Sequence, residues 1–336
     1  MNNKDAQNIF KKFESQLIMV EEELRNIFRS DSVLIPMIGS HLIEKGGKRL
    51  RPLFLILCAE IAAASNDSPK DRLILASVIE AIHTASLLHD DVVDGADTRR
   101  GSPSSHSIWG NQTVILVGDF IYAHALALSV AQKNLTIIEA LAQSIMKMTE
   151  GELIQLQKSG DPEITEADYL TIVAYKTGSL FSTACKIGGL LGRLNERELT
   201  ALTQYGLKAG VAFQIYDDIL DFEADEVELG KSLGKDLDEG KITLPLIYLL
   251  EIADITEKTE ITNLIIQNRN HNTPQLIESD LKRMLELFAK YNIIEKSMNK
   301  AKEIVQGARD ELSVFPDSPQ KDALLIMTDY CLQRKK

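Results

Sequence analysis

From Pro69 to Asp94 the chain contains no glycine and no second proline, and its apolar residues recur at helical spacing. A run of that length and composition has to be a helix buried among other helices. Its ends are marked. Ser68 stands at an N-cap with Pro69 at the first helical position and Asp71 where a capping-box acid belongs, and Gly95 supplies the stop. The same opening device recurs in "TEAD" (165–168) and "NERE" (195–198). The second of these begins another long helix, from about Glu196 to Phe222, which must accept Gly206 and Gly210. Each glycine costs about 1 kcal/mol against alanine unless close packing requires it.

Strand-like alternation bounded by turn residues is hard to find, so the expected fold class is all-α. No Gly/Ser/Pro-rich linker divides the chain, and "VFPDSPQKD" (314–322) reads as a turn before a last helix. One domain covering residues 1–336 is expected, with roughly the first 30 residues as a peripheral helix.

Composition narrows the function classes. The chain is 44% hydrophobic and 26% charged, and no run approaches the roughly 20 apolar residues of a membrane span. A net charge of −12 opposes binding to nucleic acid or to an anionic membrane surface. The N-terminus has no hydrophobic signal region, which points to the cytoplasm. Cys58, Cys185 and Cys331 are widely spaced and read as reduced, buried thiols rather than as disulfides or a zinc site.

The long helix closes on "SLLHDDVVDGADTRRG" (86–101), which gathers Asp90, Asp91 and Asp94. "QIYDDILDF" (214–222) repeats the arrangement with Asp217, Asp218 and Asp221. In each trio the first and last aspartates share a helix face, and such like charges destabilise a helix by about 0.2–0.5 kcal/mol per pair. A solvated helix end is the plainer explanation of one such trio. The apolar runs "IEAIHTASLL" and "GVAFQI" before the aspartates argue against it, because those faces belong in an interior. Carboxylates at the wet end of a buried helix suit Mg²⁺, which bridges one or two carboxylates to substrate phosphates. Two trios facing each other across a bundle could grip one diphosphate.

Cations stand near both trios: Arg99 and Arg100 after the first, Lys231 and Lys241 after the second, and Lys176 within "VAYKTGSLF". "GGKRLRP" is not a P-loop, yet its Lys48 and Arg51 could form a further phosphate clamp. His83 lies two turns before Asp90, on nearly the same face, which places it at a cavity wall, although a lone helix histidine is usually structural.

These blocks, "GGKRLRP", "HTASLLHDDVVD…RRG", "LVGDFIYAHAL", "AYKTGSLF", "FQIYDDILDF" and "GKSLGKDLDEGKITLP", occur in the order found in trans-isoprenyl diphosphate synthases. From about residue 40 onward the chain resembles the long-chain bacterial branch of that family. The resemblance implies the isoprenoid synthase fold, a single helical bundle around a central cavity, and a homodimer. It implies that Asp90, Asp91 and Asp94 hold an allylic diphosphate through Mg²⁺ with Arg99, Lys176 and Lys231, and that Asp217, Asp218 and Asp221 hold further Mg²⁺, about three ions per site in all. Lys48, Arg51, His83 and Arg100 match its isopentenyl diphosphate site, and Lys241 a further diphosphate contact. Thr177 and Gln214 match polar groups near the reacting carbons. Gly95 replaces an acid common after the first motif, and "GSPSSH" departs from the usual continuation.

The implied reaction adds isopentenyl diphosphate units to an allylic primer, farnesyl diphosphate being the expected one, with no side-chain nucleophile. Ala85 and Ser86, five and four residues before Asp90, are small where a bulky aromatic residue would close the product channel, and Ile82 and Ile79 would line it more deeply. A long product is thus a steric inference, whereas C40, for quinone side chains, rests on the resemblance; a farnesyl or geranylgeranyl synthase is the alternative. Release of so apolar a product implies transient membrane contact. A terpene cyclase would lack the GGKR block, and a regulatory subunit would tend to lose the aspartates.

Overall fold

The structure, a computed structural model, describes residues 3–44, 46–61, 68–95, 98–99, 102–223, 234–270 and 278–333. Its helices are α1 (Asn3–Ile27), α2 (Leu34–Glu44), α3 (Leu50–Ile61), α4 (Pro69–Val93), α5 (Ser105–Trp109), α6 (Asn111–Ala131), α7 (Leu135–Lys158), α8 (Glu166–Val173), α9 (Ser179–Leu191) and α10 (Glu196–Glu223). There follow α11 (Lys235–Asp238), α12 (Leu244–Ile252), α13 (Ile255–Asn270), α14 (Glu278–Lys290), α15 (Ile293–Glu311) and α16 (Pro319–Tyr330). Among the described residues the one strand pairing is a two-residue antiparallel ladder, β1 (Thr98–Arg99) with β2 (Ser102–Pro103). The all-α expectation holds.

The helix starts form as their sequences require. Ser68 accepts a hydrogen bond from the Asp71 amide, Thr165 and Asp168 make a complete capping box, and Asn195 and Glu198 exchange side-chain-to-backbone bonds. Asp94 is the C-cap of α4, and Gly95 follows at φ +61°, the left-handed conformation that glycine adopts without penalty.

Contacts cluster into two compact units. The first comprises Met1–Met146, Leu180–Gly206 and Glu311–Met327, and the second Lys147–Ser179, Leu207–Asp310 and Thr328–Lys336.

Within the first unit, Leu53 through Ala59 of α3 are fully enclosed, as befits a central helix with no solvent face. Phe54 meets the ring of Phe181 edge-on at 5.3 Å and stacks on Tyr205 at 5.8 Å. The Tyr205 hydroxyl donates to the Leu324 carbonyl at 2.8 Å, so its polar end is satisfied inside the core. Each such side chain contributes about 1.5–3 kcal/mol through burial. α1 is amphipathic and seals Phe13, Val20, Leu24 and Ile27 from solvent. α4 packs against α1, α3 and α6. Gly206 is where close approach requires glycine: a Cβ there would lie 2.6 Å from the Phe181 carbonyl oxygen and 2.8 Å from Cys185 Sγ. Cys58 and Cys185, and Cys331 of the second unit, are buried and form no disulfide.

The second unit has its own core, in which Ile215, Ile219 and Phe222 of α10 join Leu246 and Leu249 of α12, and Phe222 meets Phe288 of α14 edge-on at 5.0 Å.

One sequence expectation needs correction. α4 and α6 are each long and apolar enough, by length and composition, to cross a membrane. From Leu73 to His89 the only charged side chain is Glu80, because the other charges of α4 gather at its two ends. In α4, 61% of the apolar stretch is buried inside the protein, so its greasiness is used largely by the core; in α6 the share is 33%.

Candidate active site

The first trio sits at the C-terminal end of α4, where Asp94 N–H donates to the Asp90 carbonyl at 2.8 Å. Asp91 is buried, and Asp90 and Asp94 are half-buried. The second trio occupies the last two turns of α10 with the same pattern: Asp218 is buried, and Asp217 and Asp221 are half-buried. Six carboxylates thus lie at the negative poles of two helix dipoles, where cations rather than anions are stabilised. Both the spacing and the helix polarity call for a counter-cation.

α6 flanks the first trio. The His89 ring places Nε2 3.1 Å from the Ile115 carbonyl oxygen and 3.5 Å from Asp119 Oδ1. Gly118 makes room for it, since a Cβ there would fall 2.3 Å from Nε2. Burial first, and then the charges of Asp90 and Asp119, push the Tyr122 phenol well above its ordinary range, so it stays protonated. Farther back along α4, His83 and Ser86 are half-buried, the Ser86 hydroxyl donating to the His83 carbonyl at 2.8 Å, and Ile79, Ile82 and Ala85 are fully enclosed. Lys48 is exposed just before α3, and Arg51 lies in its first turn with the guanidinium 4.7 Å from the Phe181 ring centroid. Arg99 stands in β1. Arg100 and Lys231 lie outside the described residues.

In the second unit a π-helical turn, Ala174–Gly178, separates α8 from α9 and carries Lys176 and Thr177. Such an insertion re-aims side chains without ending the helix and is frequent at functional sites. Gly151 of α7 lets this turn come close: a Cβ there would sit 2.9 Å from the Lys176 backbone nitrogen. Thr177 Oγ1 donates to Gln214 Oε1 at 2.8 Å, and Gln214 Nε2 donates to Asp218 Oδ1 at 2.8 Å. The Tyr169 hydroxyl donates to Asp218 Oδ2 at 2.5 Å. The structure therefore brings Thr177, Gln214 and the second trio together. Lys176 forms its ion pair with Glu152 of α7. Lys241 pairs with Glu239 at 2.7 Å.

Burial, reinforced by the charges of Asp217 and Asp221, raises the Asp218 carboxyl to about 7 against the bonds from Tyr169 and Gln214. Asp236, which the sequence reading passed over, lies beside it. Its amide donates to Asp221 Oδ2 at 3.1 Å, and burial together with Asp218 and Asp221 pushes its own carboxyl well above the usual range, partly opposed by Lys241. An aspartate in the mixed-charge run "GKSLGKDLDEGK" reads as surface charge; only the fold shows its proximity to the trio. Tyr169 and Glu152 were missed for the same reason, each being an ordinary helix residue in sequence.

This donor set fits a hard divalent cation, because oxygen ligands and crowded negative charge are what such an ion takes. Among the described residues no group of three or more His, Cys, Asp or Glu converges closely enough to hold a metal unaided.

Comparison with known proteins decides the family. The model of the polyprenyl synthetase family matches residues 33–283. The chain belongs to that family. Octaprenyl diphosphate synthase of Escherichia coli (strain K12) is 35% identical over 307 residues, covering 91% of this chain and 92% of that protein. A short chain isoprenyl diphosphate synthase of Methanothermobacter thermautotrophicus is 33% identical over 301 residues, covering 88% and 89%. Among solved structures, a polyprenyl synthase from Caulobacter crescentus complexed with calcium and isoprenyl diphosphate superposes with a TM-score of 0.90 at 35% identity, covering 98% of each chain. The fold is accordingly that of the isoprenoid synthases, and the protein is a prenyltransferase.

Proposed function

We propose that this trans-polyprenyl diphosphate synthase is a long-chain enzyme, which extends farnesyl diphosphate with isopentenyl diphosphate to an all-trans product near C40, of the kind that forms quinone side chains. The carrying observation is on α4: Ala85 is fully buried and Ser86 half-buried, five and four residues before Asp90. Small side chains here leave room for hydrocarbon beyond the aspartates. Sequence identity alone does not set the length, since relatives named for octaprenyl and for short chains match almost equally.

In this reading Lys48, Arg51, His83 and Arg100 bind isopentenyl diphosphate. Asp90, Asp91 and Asp94, with Asp217, Asp218 and Asp221, would hold Mg²⁺, about three ions per site, which when bound supplies positive charge to the leaving diphosphate. The relative solved with calcium and isoprenyl diphosphate supports a divalent ion there. Arg99, Lys176, Lys231 and Lys241 add fixed positive charge where the departing group becomes more negative. Thr177 and Asp218 hold the two ends of the Gln214 amide, so its dipole is oriented before substrate arrives. Ile79, Ile82 and Ala85 exclude water from the allylic cation. The isopentenyl double bond is the nucleophile, and the proton it loses goes to the departing diphosphate.

One catalytic domain is proposed, since the family match runs through segments of both units. A cytoplasmic homodimer with transient membrane contact at product release completes the reading. The membrane contact is supported by Leu116 and Val130 of α6, which are 67% and 55% exposed.

The test is chromatography of products from purified protein given Mg²⁺, farnesyl diphosphate and labelled isopentenyl diphosphate. A ladder ending near C40 is expected, with Ala85→Phe ending it earlier while turnover persists. A stop at C15 or C20 in the unaltered enzyme would overturn the length, and unchanged products from Ala85→Phe would remove α4 from the channel.

A further inference from the structure

We propose that Arg49 is a positioning residue for the isopentenyl diphosphate clamp, holding the turn that carries Lys48 and Arg51 against α1 and α4 through one buried guanidinium. The inference rests on the reading above, which assigns Lys48, Arg51 and His83 to that substrate.

Arg49 is 8% exposed. Its Nε donates to Glu21 Oε1 of α1 at 3.0 Å, and its Nη1 donates to Glu80 Oε1 of α4 at 2.9 Å. Glu80 is itself buried and lies one turn before His83 on the same helix. The Arg49 carbonyl accepts from Leu53 N–H at 3.1 Å, so α3 starts on this residue, with Lys48 immediately before it and Arg51 two positions on. One side chain therefore ties together the three segments that carry the clamp or brace it.

The backbone sharpens the point. Arg49 has φ +48°, a conformation that glycine adopts at far lower cost and that the neighbouring Gly46 also takes, at φ +69°. If this position served only the turn, glycine would serve it better. A buried ion pair is also weak evidence of stabilisation, since removing charges from water offsets most of their attraction. What arginine supplies is a rigid planar fork that can bridge two carboxylates on two helices, a geometry that lysine lacks. The arrangement is suited to fixing where Lys48 and Arg51 stand.

The experiment compares Arg49→Gly, Arg49→Lys and Glu21→Gln with Lys48→Ala as the clamp control. It records KM for each substrate, kcat and thermal stability. Arg49→Gly should raise KM for isopentenyl diphosphate about tenfold while KM for the allylic diphosphate stays within about twofold, and Arg49→Lys should recover only part of the loss. Glu21→Gln weakens one arm by removing its charge and keeps the Arg49–Glu80 pair; it should raise the same KM about threefold even if Arg49→Gly fails to fold. Reduced stability or kcat with an unchanged KM in the folded variants would overturn the proposal, because a merely structural residue loses active molecules rather than affinity. The two readings fail separately. If the unaltered enzyme does not use isopentenyl diphosphate, the function is wrong; if it does, and Lys48→Ala raises KM whereas the Arg49 and Glu21 variants do not, only the positioning role is wrong.

Discussion

Asp90, Asp91 and Asp94 end a core helix whose preceding turns are enclosed by hydrocarbon, whereas Asp217, Asp218 and Asp221 end a helix whose polar side chains are bonded to one another. Spacing, burial pattern and place at a helix C-terminus are shared. The surroundings are not. In the second trio Asp218 is braced by Tyr169 and Gln214 and crowded by Asp236, so that carboxyl is held in place before any ligand arrives. The first trio stands beside Tyr122 and Asp119, at the end of the helix that carries Ala85 and His83. One motif thus occurs twice: at the end of an apolar core helix, and as part of a polar frame. On the proposed function, the difference would give chain-length control to α4 and preorganised cation binding to α10.

The largest effect should come from removing an outer carboxylate from either trio. Asp90→Ala and Asp217→Ala should each lower kcat by about 10²–10³-fold, the loss typical of one group that stabilises transition-state charge. Near-normal turnover in Asp217→Ala, measured by steady-state kinetics, would break the pairing of the two trios and leave catalysis to the first alone.

A smaller effect separates the trios by stability. Asp218 titrates near 7 in the folded protein, against an ordinary value near 4 in the unfolded chain. Below pH ~4 both states hold the proton; between about 4 and 7 only the folded state does, so metal-free protein loses up to about 1.4 kcal/mol of stability per pH unit from this group. Above about pH 7 the loss is complete. Urea unfolding with a chelator present should show a falling slope in the parent and a shallower one in Asp218→Asn, the remainder belonging to Asp236. An unchanged slope would place the titration elsewhere. The smallest effect is expected for Tyr169→Phe, which deletes one hydrogen bond to the same carboxyl and should cost about 1.5 kcal/mol in the same assay.

Much of this was legible in the sequence because it is local. Ser68, Thr165 and Asn195 cap helices through bonds to residues three positions on, and the trios advertise themselves by spacing. Gly206 was readable as either a cost or a close approach, and the Cys185 and Phe181 contacts show the latter. The remainder depends on residues far apart in the chain. Nothing in "AYKTG" announces a π turn, since one extra residue per turn leaves no periodic trace in five residues. Arg49 stands in a block read for Lys48 and Arg51, yet its partners lie 28 and 31 residues away. Asp236 looks like solvent-facing charge until α11 brings it to Asp221. The apolar stretch of α4 was under-read because charges at both ends mask an interior with only Glu80.

The most direct test is incorporation of labelled isopentenyl diphosphate into apolar product as Mg²⁺ is withdrawn with a chelator and then restored. Transfer that stops without the ion, returns with it, and is lost in both Asp90→Ala and Asp217→Ala is the predicted result. Transfer that continues at full rate without divalent ions, or that survives the loss of either aspartate, would contradict it.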